Sequence, residues 1–211
     1  MILTLLALAP TTGSTDKRVM NTLVATSEHA KLEVQVLGTS SSSLKILYVF
    51  HNQSNENAYV FSRLYSSLDK NGVYKTDRNL AYVEIDQSGI TLSKKVIPVP
   101  DDVDVEKPVV PCVAKVKSGD VFKEEVSITL PLRPWTPYHR LSVASTAQSP
   151  VFLPAWIEIG YFTSDQRSDS LAKSVQTTEG PALYFYPFPP SSQHVLRAGP
   201  LPANLPVLVQ R

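Results

Sequence analysis

"YVFHNQSNENAYVFSRLY", residues 48–65, sets two aromatic-rich apolar runs around a short polar knot. Its reading decides the fold. Asparagine and serine satisfy nearby backbone groups with their own side chains and tolerate left-handed backbone. Asn52, Ser54, Asn55 and Asn57 therefore read as the turn of a hairpin whose strands end near His51 and begin near Ala58. The competing reading makes His51 a general base beside a nucleophile such as Ser54. It also needs a carboxylate to orient the ring, and no local spacing supplies one. Asn52-Gln53-Ser54 matches an N-glycosylation acceptor as well. The turn reading predicts strands on both sides.

Working outward, a period of two dominates from residue 31. "KLEVQVL" places Leu32, Val34 and Val36 on one face and Lys31, Glu33 and Gln35 on the other. "LAYVEID" sets Ala81, Val83 and Ile85 against Tyr82, Glu84 and Asp86. "VFKEEVSITL" aligns Phe122, Val126, Ile128 and Leu130, with Glu124 interrupting the apolar face. "AWIEIGYF" opposes Ile157, Ile159 and Tyr161 to Trp156, Glu158 and Phe162. Such alternation marks strands with one buried face. "LKILYVF", residues 44–50, is apolar on both faces, as a central strand is. "GTSSSS", "DKNG", "DQSG" and "KSGD" supply turn chemistry between the runs. Roughly eight to ten short strands with this punctuation point to an all-β, immunoglobulin-like antiparallel β-sandwich. The one helix candidate is "SDQRSDSLAKSVQ", residues 164–176, with serine and aspartate available as caps.

The chain divides into a main domain with appended ends. "MILTLLALAPTTGSTDKR" carries an apolar run from Ile2 to Ala9, so residues 1–25 read as an export signal or an N-terminal arm. Residues 26–188 hold the sandwich, and 189–211 read as an extended, Pro-rich tail whose Leu201, Leu205, Val207 and Val209 favour docking. Seventeen prolines against eight glycines in 211 residues fit long extended connections and disfavour phosphate-cradling loops. A formal charge of +1 gives no footprint for nucleic acid, and no apolar run is long enough for a transmembrane helix.

Signals for chemistry are sparse. Cys112 is the single cysteine and reads as a small buried hydrophobe. His29, His51, His139 and His194 lie apart in sequence, with no zinc spacing among them. Asp101, Asp102, Asp104 and Glu106 concentrate carboxylates without the glycine and terminal glutamate of a calcium loop, and read as a solvated acidic turn. Ser42, Ser67 and Ser170 each precede a lysine by three residues, but no partner motif accompanies them. No cofactor fingerprint is present. "PWTPYHR", residues 134–140, differs from the strands: prolines hold Trp135 and Tyr138 in a connection, which presents a ring at the surface. Trp135, Tyr138, His139 and Arg140 form the expected binding patch.

The layout from "YVFHNQSNENAYVF" to "KSGDVFKEEVSITLPL" resembles immunoglobulin-like modules of bacterial secreted proteins. It is also similar to the small sandwich proteins grouped with bacterial proteinase inhibitors, without an inhibitory loop. The leading expectation is a non-catalytic binding or structural module, periplasmic or secreted, that takes a protein or a cell-envelope component through edge strands and Pro-rich loops. The alternatives are a cytoplasmic location, and a hydrolase or inhibitor-like protein that assembles a histidine site only on folding.

Overall fold

The computed structural model describes residues 21–138, 149–164, 169–186, 188 and 190–209. The strands before the knot are β1 (Thr22–Thr26), β2 (Ala30–Thr39) and β3 (Ser43–Asn52). After it come β4 (Asn57–Leu68), β5 (Tyr74–Asp77), β6 (Tyr82–Asp86), β7 (Gly89–Lys94), β8 (Cys112–Val116) and β9 (Val121–Thr129). The remainder are β10 (Val151–Leu153), β11 (Ala155–Ser164), β12 (Lys173–Val175), β13 (Ala182–Tyr184), β14 (His194–Ala198) and β15 (Leu205–Val207). The protein is all-β, with sheets in a sandwich-like arrangement.

The first sheet has the order β1-β2-β3-β9 and is antiparallel throughout. The second runs β12-β13-β8-β4-β11-β7-β6, with β14 added on β11 and β5 on β4. A two-stranded ribbon joins β10 to β15. Among the described strand pairings, one departs from the expected antiparallel sandwich. β7 and β11 are parallel, with Ile90 opposite Ala155 and Lys94 opposite Ile159. Parallel neighbours need a long crossover, and the sixty residues between Lys94 and Ala155 provide it.

Period-two patterning builds the interior. Leu32 and Val34 of β2 and Leu44, Ile46, Tyr48 and Phe50 of β3 point inward. They meet Ala58 and Val60 of β4, Leu92 of β7, and Ile157, Ile159 and Tyr161 of β11 in one cluster shared by both sheets. Burying each large aliphatic or aromatic side chain contributes roughly 1.5–3 kcal/mol. "LKILYVF" does form the central strand of its sheet, between β2 and β9. Two apolar faces have a different outcome elsewhere: β4 and β11 each carry an apolar layer on both sides. Their Tyr59, Phe61 and Phe162 turn away from the main core to pack with Phe185 and Phe188.

Chain geometry is tight at the β6–β7 turn. Asp86 Oδ1 accepts from the backbone of Ser88 at 2.7 Å and of Gly89 at 3.2 Å. Gly89 has φ +135°, and a Cβ there would lie 2.4 Å from the Pro154 carbonyl oxygen. That carbonyl accepts from Ile90 N at 2.9 Å, so the turn needs glycine to bring β7 alongside β11.

Residues read as a C-terminal tail are built into the sheets. β14 pairs with β11, β15 pairs with β10, and Leu196, Ala198, Leu201, Leu205 and Val207 join the main core. Fifteen strands are described where eight to ten were expected, and four of them, β10, β12, β13 and β15, have three residues each, too few to show a period. Within the stretch 164–176 read as a helix, Ser164 ends β11, Asp169 is helical, a turn follows at Ser170 and Leu171, and Lys173–Val175 form β12. That stretch's residues 165–168 lie outside the described set, as do residues 1–20 of the stretch 1–25 read as an export signal or arm, whose Thr22–Ala25 belong to β1.

Candidate functional site

The polar knot is a turn held from inside. Asn52 is 2% exposed, and its Nδ2 donates to the carbonyls of Glu56 (2.8 Å) and Val116 (3.0 Å). Its Oδ1 accepts from the backbone and hydroxyl of Ser54, at 3.1 and 2.7 Å. An amide committed in this way is closed to a glycan in the folded chain. His51 faces the other side of the sheet, where Glu33 lies 3.6 Å from its Nε2 and Lys31 pairs with Glu33. Among the described residues no serine hydroxyl is hydrogen-bonded to His51.

Folding brings His29 and His194 together, with ring centroids 6.0 Å apart, and sets His194 5.3 Å from the Tyr161 ring. Ser27 is nearby, but its Oγ shares a 2.7 Å hydrogen bond with the Tyr161 hydroxyl and accepts from Ala30 N at 3.1 Å. The serine shapes the β1–β2 turn. The imidazole-to-hydroxyl contact that activates a nucleophile is not formed there among the described residues.

Trp135 and Tyr138 sit together at the margin of the second sheet. Trp135 exchanges two backbone hydrogen bonds with Val83 of β6, at 2.8 and 3.0 Å. Its indole lies 5.1 Å from the Tyr82 ring. The Tyr138 hydroxyl accepts from Val109 N at 2.9 Å. Both rings are half-buried against a third small cluster of Leu64, Tyr82 and Ile97. The segment therefore closes part of the β6 edge while leaving some ring surface outside. His139 and Arg140 lie outside the described residues.

Sequence reasoning missed the ion cluster inside the sandwich. Lys94 ends β7 on its inner face, where its Nζ donates to Glu124 Oε2 (2.6 Å) and to the carbonyls of Ser62 (2.7 Å) and Arg78 (2.6 Å). The Tyr48 hydroxyl donates to the same Glu124 oxygen. Burial lowers the Lys94 pKa, with Glu124 opposing that effect. Burial, and then the Glu124 charge, push the Tyr48 hydroxyl well above its ordinary range. The only sequence signal was Glu124, the acid that breaks the apolar face of β9.

Beside this cluster, a cleft of about 300 Å³ opens between β9 of the first sheet and β4, β8, β12 and β13 of the second. Ser62 and Glu124 line it together with Arg63, Lys115, Phe122 and Leu183. Outside the cleft, Asp169 gathers Asn57 Nδ2 (2.6 Å), the Tyr59 hydroxyl (2.7 Å) and Lys115 Nζ (2.7 Å). Cys112 is fully buried, and that burial raises its thiol to about 11 against the opposing charge of Arg63. It is a packing residue, as expected. The acidic stretch from Asp101 to Glu106 carries no metal-binding group of three ligands among the described residues.

No protein-family model, no curated protein and no solved structure matches this chain. No helix among the described residues is long and apolar enough to cross a membrane. The class that fold and site define is thus a β-sandwich with a buried ion cluster and a rim of anchored aromatics.

Proposed function

We propose that the chain is a non-catalytic, extracytoplasmic β-sandwich of immunoglobulin-like type that binds a protein or a cell-envelope component. The contact is the ridge of Trp135 and Tyr138, continued in sequence by His139 and Arg140. The observation that carries this reading is the anchoring of the two rings: Trp135 is tied by both backbone groups to Val83, and Tyr138 by its hydroxyl to Val109. A half-exposed aromatic already fixed in place loses little side-chain entropy on binding, which is the property of interface anchors. Loop contacts beside a partly covered edge strand are a route to partners open to this fold.

The test compares the full chain with a Trp135→Ala/Tyr138→Ala variant in affinity capture from the native cell envelope. Urea unfolding run in parallel confirms that both forms are folded. Loss of one partner by the folded variant supports the ridge, and equal recovery of every partner by both forms removes it. N-terminal sequencing of protein recovered outside the cytoplasm tests export separately: recovery only from the cytoplasm overturns that part.

A further inference from the structure

The cleft between the two sheets holds a charge that no carboxylate among the described residues neutralises. Glu124 on its floor is compensated from behind by Lys94 at 2.6 Å. Lys115 on its rim is compensated by Asp169 at 2.7 Å. Among the described residues Arg63 donates to the Glu179 carbonyl alone, at 3.3 Å, and has no carboxylate within ion-pair distance. The Glu179 carboxylate is itself engaged by Arg78 at 3.0 Å. One positive charge is therefore left over in a recess whose walls include Phe122 and Leu183, with the hydroxyl-bearing Ser62 and Ser174 beside it.

From this geometry we infer a second binding site, for a small organic monocarboxylate with an apolar body. The guanidinium fork of Arg63 takes the carboxylate through two parallel hydrogen bonds, a match of planar groups that lysine cannot provide. The apolar body lies against Phe122 and Leu183. A dianion such as a phosphate monoester is disfavoured because the Glu124 carboxylate stands in the same recess. The volume is at the lower end of the roughly 300–1,000 Å³ spanned by small-ligand clefts, which restricts the ligand to a few atoms beyond one ring. The cleft shares no lining residue with the Trp135–Tyr138 ridge, so either site can fail without the other.

Backbone amide NMR of the full chain tests the assignment with three probes that differ only in the group beside a phenyl ring: phenylacetate, phenylacetamide and phenylethylammonium. Phenylacetate is expected to shift the amides of Ala114, Ser174 and Leu183 saturably, with the neutral and cationic probes binding at least about tenfold more weakly. Arg63→Gln is expected to weaken phenylacetate by a similar factor, with Arg63→Lys in between. Absence of saturable shifts with phenylacetate overturns the site, as do equal shifts with phenylacetamide or unchanged affinity in a folded Arg63→Gln protein. The acid–amide comparison uses the unaltered chain and stands whether or not the variants fold.

Discussion

Lys94 and Lys95 are neighbours in sequence and opposites in environment. Lys94 points into the sandwich, with its side chain 4% exposed and one carboxylate partner. Lys95 points outward, 18% exposed, between Glu158 at 2.6 Å and Glu84 at 3.2 Å. Glu158 also receives Arg197 at 3.2 Å, and that guanidinium lies 4.8 Å over the Trp156 ring. Burial lowers the pKa of both lysines, but only for Lys95 do the two carboxylates outweigh it and leave the pKa raised. The inner lysine has little access to solvent and, among the described residues, no second carboxylate within ion-pair distance. The outer network has both. The difference teaches that an ion pair's importance to the fold depends on what remains when one member leaves, more than on its length.

The strongest way to break this comparison is Glu124→Gln. It leaves Lys94 buried without a counter-charge, and a loss of about 3–5 kcal/mol is expected in urea denaturation. A loss below about 1 kcal/mol would show that water reaches Lys94 and that the two lysines are alike. Next comes the triple replacement Lys94→Met, Glu124→Leu and Tyr48→Phe, which removes the cluster as a unit. Its stability is expected within about 2 kcal/mol of the parent, since an apolar replacement of similar volume often offsets a lost buried pair. A triple variant as unstable as Glu124→Gln would mean that the cluster itself, and not an orphaned charge, supports the sandwich.

Glu158→Gln is the matching change outside. Lys95 keeps Glu84 and its access to solvent, so a loss of roughly 1 kcal/mol is expected. That loss is expected to shrink in 1 M salt, where the screening length falls to about 3 Å, while the Glu124→Gln effect persists. The smallest effect is alkaline. The raised pKa of Lys95 contributes stability that is present below the ordinary value of 10.5 and is lost as pH rises through the folded value. The lowered pKa of Lys94 has the reverse sign: stability is recovered as pH rises from its folded value toward 10.5. Tyrosines such as Tyr65, pushed up to about 12 mainly by burial, make the parent lose stability above pH 10. Against that decline, Lys95→Met is expected to flatten the fall of unfolding free energy and Lys94→Met/Glu124→Leu to steepen it. Equal slopes in the two variants would remove the distinction between the two sites.

Much of the strand pattern was legible, because alternation is a local property. Leu32 and Val34 of β2, and Ile157, Ile159 and Tyr161 of β11, face the core as their period requires. Tyr82 was less legible. It was grouped with Glu84 and Asp86 on the polar face of β6, yet it is fully buried, because Trp135 and Leu64 cover that face from distant parts of the chain. A strict period of two would set Arg63 on one face with Tyr59, Phe61 and Tyr65. The pairing of β4 with β8 slips between Phe61 and Arg63, and with β5 between Tyr65 and Ser67, so a strict count of two fails along the strand.

The candidate sites divide the same way. The turn chemistry of Asn52 and Ser54 could be read from adjacent residues, since the side chains of both satisfy backbone groups within a few positions, while Val116 and Ser118 add long-range contacts. The cleft could not, because Ser62, Arg63, Lys115 and Glu124 come from three strands. By itself the sequence determined that this protein folds as strands and turns, because side-chain alternation and asparagine-rich connections act over a few residues. Only the tertiary structure decided that Lys94 meets Glu124, that β7 runs parallel to β11 and that the last strands complete the core. Those contacts join residues 30 to 60 positions apart or more, and the free energy that selects them arises only once the sheets have met.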